Sequence, residues 1–280
     1  MELTTLYRLI GLQPEIVERL KPFHNGSDRM RLGPYLERLT MPETAQEAYL
    51  SLKEVLGEDP DGLAMLYCQL EAARQVYRRY QEKGIPERIF VDTMRCFPRF
   101  IAECEKKDGR LLFDRGWWSY RQTSMCLFRI GALEYEFRKH EGEPAVALHI
   151  PSGADLSEPA VNDSLEQAGR FFQTHYRDYK YSRYICISWL LSPALEPLLS
   201  ETSRIRSFQQ RFRIVREYPE NMEFIELLFQ VPRTALYDSL PETTSLQRGV
   251  KALLLGGGMV GSAYGTLERQ KYGSEASVPR

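Results

Sequence analysis

Residues 145–191 read AVALHIPSGADLSEPAVNDSLEQAGRFFQTHYRDYKYSRYICISWLL, and the order of patterns in them decides the fold of the larger part of the chain. Val146, Leu148 and Ile150 alternate with Ala147 and His149, the two-residue period of a strand with unlike faces. Pro151, Ser152 and Gly153 stop that strand. Leu165, Ala168, Phe172 and His175 then recur at helical spacing behind Asn162 or Asp163, either of which can cap the helix. Pro159 is tolerated only at or before the first turn. Ile185, Ile187 and Trp189 alternate again. A strand, a helix and a strand make a crossover unit, which favours parallel strands and places loops at their carboxyl ends, where α/β folds hold ligands.

Upstream, the first hundred residues carry helix punctuation. Leu3, Leu6, Tyr7 and Ile10 mark one apolar face, and Pro14 can begin a second helix with Ile16, Val17 and Leu20. Residues 23–34 read as a loop, because His24, Asn25, Gly26, Ser27 and Asp28 favour turns. A helix fits from Pro42 to Leu56. The stripe Leu63, Leu66, Tyr67, Leu70, Ala73, Val76, Tyr77 and Tyr80 makes another and reads as core. Pro86 to Lys107 is helical too, with Pro98 expected to kink or divide it. Lys106 to Gly109 mark a change of character, so a helical domain is expected over 1–108 and a mixed-sheet domain over 109–280. In the second, LFRIGALEYEFRK changes parity at Gly131, which predicts a bulge or tight turn. RFRIVREY and MEFIELLFQV predict a β-hairpin, Ser245 a cap for the last helix, Gly256 to Gly258 its stop, and Met259 to Leu267 a closing strand. The tail beyond Gln270 has little to bury.

Composition narrows the class. With 43% hydrophobic and 27% charged residues, a chain of 280 residues can bury substantial cores. A net charge of −1 offers no global field for a polyanion, so neither nucleic acid nor an anionic membrane is an expected partner. Five cysteines without CxxC pairing fit free thiols in a reducing compartment. No apolar run is long enough to span a bilayer, and MELTTLYRLIGLQPEIVERL lacks the form of a signal peptide, so a cytoplasmic location is expected. The four histidines show no metal-ligand spacing with cysteine, and no metal is expected.

The order from residue 110 onward resembles the GNAT acyltransferase core. The words LFRIGALEYEF, LHIPSGADL, ISWLLSPAL, IRSFQQRFRIV and TSLQRGVKALLLGGG are similar to the GNAT-like C-terminal domain of bacterial acyltransferase domain-containing proteins, which carry a helical N-acyltransferase N-terminal domain. The resemblance implies transfer of an acyl group from acetyl-CoA or another acyl-CoA, directly and without a metal, to a small-molecule or peptide amine. It also implies that the thioester rests between the strand Val146 to Ile150 and the strand Tyr184 to Leu190. Ile150, Ser152 and Gly153 would then hold the cofactor, with phosphates on amides at the following helix start. The phosphate loop departs from the usual pattern, since PSGADLSEPA has one glycine, Gly153. That departure is the feature favouring the alternative, a non-catalytic GNAT-like ligand- or protein-binding module.

Several side chains admit two readings. His149 can act as the base for the amine, since imidazole titrates near the pH required, or can bond a neighbouring loop. Ser188 can orient the amine or protonate the leaving thiolate, and Trp189 can line an acyl pocket or pack in the core. Glu134 and Glu136 project toward solvent or an acceptor cleft. Arg204, Arg206, Arg211 and Arg213 can meet phosphates or solvate the surface. Cys186 can be a nucleophile only with a lowered pKa, and otherwise is a small core residue. The glycines at 256–258 follow a helix instead of preceding one, which makes them a stop and not a phosphate loop.

Overall fold

The structure is a computed structural model describing residues 1–24 and 27–269. The chain packs as two compact units, Met1–Ile130 and a second from Gly131 onward.

The first unit is helical: α1 (Leu3–Ile10), α2 (Pro14–Leu20), α3 (Ser27–Leu39), α4 (Ala45–Leu56), α5 (Leu63–Glu82), α6 (Glu87–Met94), α7 (Cys96–Asp108) and α8 (Gly116–Thr123), closing with strand β1 (Leu127–Ile130). The stripe of α5 is buried at Leu66, Leu70, Ala73, Val76 and Tyr80, and α5 contacts α1 to α4, α6 and α8. Two expectations change. Residues 27–39 form a helix, because Leu32, Leu36 and Leu39 lie on one buried face; the expected loop residues Asn25 and Gly26 lie outside the described residues. The break in the segment from Pro86 falls at Arg95, which leaves Pro98 in the first turn of α7. The unit runs past the composition change at 106–109 because α8 packs on α4 and α5. Its Gly116 carbonyl accepts from Gln69 Nε2 at 3.3 Å, and the Thr123 hydroxyl donates to the Leu39 carbonyl at 3.3 Å.

The second unit contains β2 (Leu133–His140), β3 (Glu143–His149), α9 (Glu158–His175), β4 (Arg183–Ser188), α10 (Arg204–Gln209), β5 (Arg213–Tyr218), α11 (Ser245–Leu255) and β6 (Ser262–Glu268). Its strands lie in the order β2-β3-β4-β6-β5. Only β3 and β4 are parallel here, joined by α9 as the crossover pattern requires. The helix starts earlier than expected, behind Ser157, with Pro159 in the first turn. Gly131 turns between β1 and β2 at φ +62°.

The expected hairpin is overturned. RFRIVREY forms β5 but pairs with β6, whereas residues 225–229 form a helical turn whose Ile225 and Phe229 are buried with Phe224. These three pack on Leu195, Val250 and Leu254, a cluster that a strand with alternating faces would split. The cap of α11 is Thr244 and not Ser245. Thr244 Oγ1 accepts from the Gln247 amide at 3.1 Å, and Gln247 Oε1 accepts from the Thr244 amide at 3.1 Å. Gly256 and Gly257 then stop the helix as expected, Gly257 at φ +82°.

Candidate functional site

The alternation in β2 and β3 sorts their side chains by face. Leu133, Tyr135, Phe137, Val146 and Leu148 turn toward α9, where the Tyr135 hydroxyl meets Ser164 Oγ at 2.8 Å and Phe137 packs edge-on against Phe172. The other face carries Glu134, Glu136, Arg138, Ala145, Ala147 and His149. Glu134 and Glu136 are each 4% exposed, so the expectation of a solvated charged face fails. A carboxylate removed from water must be held by partners, and Glu136 is. Its Oε2 lies 2.9 Å from His149 Nε2 and its Oε1 3.1 Å from the Arg138 guanidinium. With Glu136 ionised, the tautomer that completes this bond carries its proton on Nε2.

The parallel pairing places this dyad beside an opening. β3 and β4 pair at Val146 with Tyr184 and at Ala147 with Ile185, and no further, although β3 runs on to His149 and β4 to Ser188. The strands part at their carboxyl ends. Ile187, on an interior strand, is 59% exposed. By register Ile187 shares the face of Ala147 and His149, while Ser188 falls on the α9 face. His149 and Ser188 are therefore on opposite faces. The Ser188 hydroxyl oxygen instead accepts from the Leu190 amide at 3.1 Å, ending the strand and starting a short 3₁₀ turn at Trp189. Trp189 packs on the cluster of Leu195, Phe224 and Val250.

Ile150 leads into the loop that follows β3. Pro151 to Ala154 form a turn closed by an Ala154 N–H to Pro151 carbonyl bond of 3.1 Å, with Gly153 at φ +73° and open space around it. Asp155 then accepts from the Ser157 amide and hydroxyl, each at 2.9 Å, and these bonds hold its carboxyl below the usual carboxylate range. Two of the arginines singled out in the sequence reach this end of α9. Arg204 lies 3.2 Å from Asp155 Oδ1, and Arg211 donates to Asn162 Oδ1 at 2.7 Å. Arg206 faces Glu196 at 3.7 Å instead. Cys186 is a buried core thiol, pushed up to about 12 by burial, which removes it as a nucleophile. Among the described residues no three His, Cys, Asp or Glu side chains cluster as a metal site, and no helix is long and apolar enough to cross a membrane.

Comparison with known proteins supplies the context. Residues 127–267 match the family described as GNAT-like C-terminal domain, and residues 1–125 match the family described as N-acyltransferase N-terminal domain. A crystal structure of an acyltransferase in complex with decanoyl-CoA and teicoplanin is 22% identical over 96% of this chain and 100% of its own, with a TM-score of 0.71. The same figures hold for a mutant acyltransferase in complex with octanoyl-CoA. An acyltransferase in complex with CoA and 10C-teicoplanin gives a TM-score of 0.70 at 22% identity and the same coverage. At that identity the likeness establishes the fold. No curated protein matches the chain.

Proposed function

From the premise that this chain belongs to the family of proteins with a GNAT-like C-terminal domain, preceded by an N-acyltransferase N-terminal domain, we propose that it transfers an acyl group from acyl-CoA directly to an amine. The observation that carries the reading is the parting of β3 and β4 beside His149. Backbone groups of a parallel pair that stop pairing need other partners, and the amide and thioester groups of an acyl-CoA arm lying in the gap would supply them. To the turn at Ile150 to Gly153, the start of α9 and the side chains of Arg204 and Arg211, which meet at that end of α9, we assign the phosphates of such a molecule.

The chemistry assigned to the residues follows from the geometry. His149 Nδ1 takes the proton of the attacking amine while Glu136 holds Nε2–H and stabilises the imidazolium that forms. The amine nitrogen bonds to the thioester carbon, the C–S bond breaks, and the thiolate leaves with a proton. Glu136 is a positioning residue in this scheme, and Arg138 fixes Glu136 in turn. Ser188, bonded to Leu190 on the other face, is given no step. Glu134, buried on the His149 face opposite that residue in register, is proposed to border the acceptor.

The solved relatives make a medium-chain acyl-CoA the first donor to try and teicoplanin the first acceptor. Release of free thiol from decanoyl-CoA or acetyl-CoA, measured with teicoplanin and with a panel of small and peptide amines, tests the proposal. Amine-dependent thiol release that His149→Ala removes supports it. Saturable acyl-CoA binding with no turnover on any amine would replace the enzyme with a binding module.

A further inference from the structure

The far end of the second unit's sheet carries a feature that acyl transfer does not use. α9 has 18 residues and is therefore about 27 Å long, so its last turn lies well away from the loop at 151–157. There the segment 176–182 leads into β4, and the Arg269 amide donates to the Ser182 carbonyl at 2.8 Å, bringing the end of β6 alongside. Between them lies a cavity of about 540 Å³, lined among others by Phe172, Tyr176, Tyr179, Arg177, Lys180 and Arg269.

Its charge is one-sided. Among the described residues no acidic residue lines the cavity, and none of the three cations pairs with a carboxylate. The carbonyl end of α9 offsets about half a charge, and Lys180 also borders a neighbouring cavity that holds Glu141 and Glu143, so Arg177 and Arg269 carry most of the remaining positive charge. Arg269 is built in rather than dangling. Its guanidinium lies 4.6 Å from the centroid of Tyr181, and its buried Nε has no hydrogen-bond partner among the described residues. Tyr181 is itself pinned by a 3.0 Å bond between its hydroxyl and that of Tyr184, and the Tyr179 hydroxyl donates to the Ala145 carbonyl at 2.8 Å.

A fixed guanidinium fork with two more cations on the wall suits a phosphate. The volume is far larger than phosphate alone requires and falls in the range of organic ligand sites. The rings of Tyr176 and Tyr179 on the wall favour a flat aromatic body. We propose that this cavity is a second ligand site for an aromatic phosphate monoester, its phosphate on Arg177, Lys180 and Arg269 and its ring against Tyr176 and Tyr179. The inference stands apart from acyl transfer.

The test is isothermal titration of the full chain with adenosine monophosphate, phenyl phosphate, inorganic phosphate and adenosine, each with and without saturating CoA. The proposal predicts saturable binding of at least one monoester, at least tenfold tighter than inorganic phosphate and undiminished by CoA. In the double variant Arg177→Gln with Lys180→Gln, both exposed and so free of folding cost, that affinity falls at least tenfold while acyl-CoA affinity holds. Absence of saturable monoester binding, displacement by CoA, an affinity no better than that of inorganic phosphate, or indifference to the double variant would each overturn it.

Discussion

The two faces of the sheet in the second unit are buried for different reasons. Toward α9, Tyr135, Val146 and Leu148 join Phe172 in an apolar layer, where burial itself stabilises. On the opposite face Glu134, Glu136 and His140 are buried too, and burial there costs free energy unless each group is held. Glu136 is held by His149 and Arg138, and the His140 ring bonds the Tyr264 hydroxyl. The difference teaches where to look for chemistry. The α9 face is mainly apolar, its hydroxyls paired as Tyr135 with Ser164 and Tyr181 with Tyr184, whereas the other keeps carboxylates and imidazoles that a simpler core would replace.

If that division is right, substitutions on the two faces should fail in different assays. The largest effect is expected for His149→Gln, which keeps an N–H donor for Glu136 and should lower amine-dependent thiol release about 10²- to 10⁴-fold with the thermal midpoint little changed. Steady-state kinetics beside a melting curve separates the two. Phe172→Ala should do the reverse, costing about 3–5 kcal/mol of stability by leaving a cavity beneath Phe137 and Tyr181, as chemical denaturation would read. Retained stability in Phe172→Ala would break the comparison.

Glu136→Gln sharpens it. Turnover should fall on the order of a hundredfold while acyl-CoA affinity holds, because the imidazole loses the anion that orients it and not its place. Thr244→Ala, remote from both faces, should cost about 1 kcal/mol through the lost capping box and leave turnover unchanged. Smallest of all is the behaviour of Cys186. Its thiol is raised from an ordinary 9.0 to about 12, so this residue's contribution to stability is complete below pH 9 and is lost as pH rises toward 12. At pH 8 in the native protein it should resist alkylation, which mass spectrometry after iodoacetamide would show.

What the sequence made legible follows from local periodicity. The crossover from β3 through α9 to β4 was readable because a period of two gives way to helical spacing and returns, with Pro151 to Gly153 as the stop. His149 could be marked by parity alone. Its partnership with Glu136 could not, because it depends on the register that sets Glu136 opposite Ala147 and Glu134 opposite His149. The short polar alternation Glu134, Glu136, Arg138, His140 was the available signal, and of the two directions it allowed, solvent or a cleft, the burial of Glu134 and Glu136 excludes the first. The hairpin expected after β5 failed because Phe224, Ile225 and Phe229 suit a tight helical turn as well as a strand, and their packing on α11 decides between them. Ser188 alternates correctly along β4, yet its hydroxyl was claimed by the backbone at the strand's end, a competition that a short polar side chain often enters.

The central claim is that acyl-CoA lies where β3 and β4 part. Isothermal titration of the full chain with decanoyl-CoA, compared with the variant Ile187→Glu, tests it most directly, because Ile187 is exposed in that gap and can be changed without disturbing a core. The account predicts saturable binding to the native chain and at least a tenfold loss in the variant, with the melting temperature preserved. Saturable binding of equal strength in both, or none in either, would contradict it.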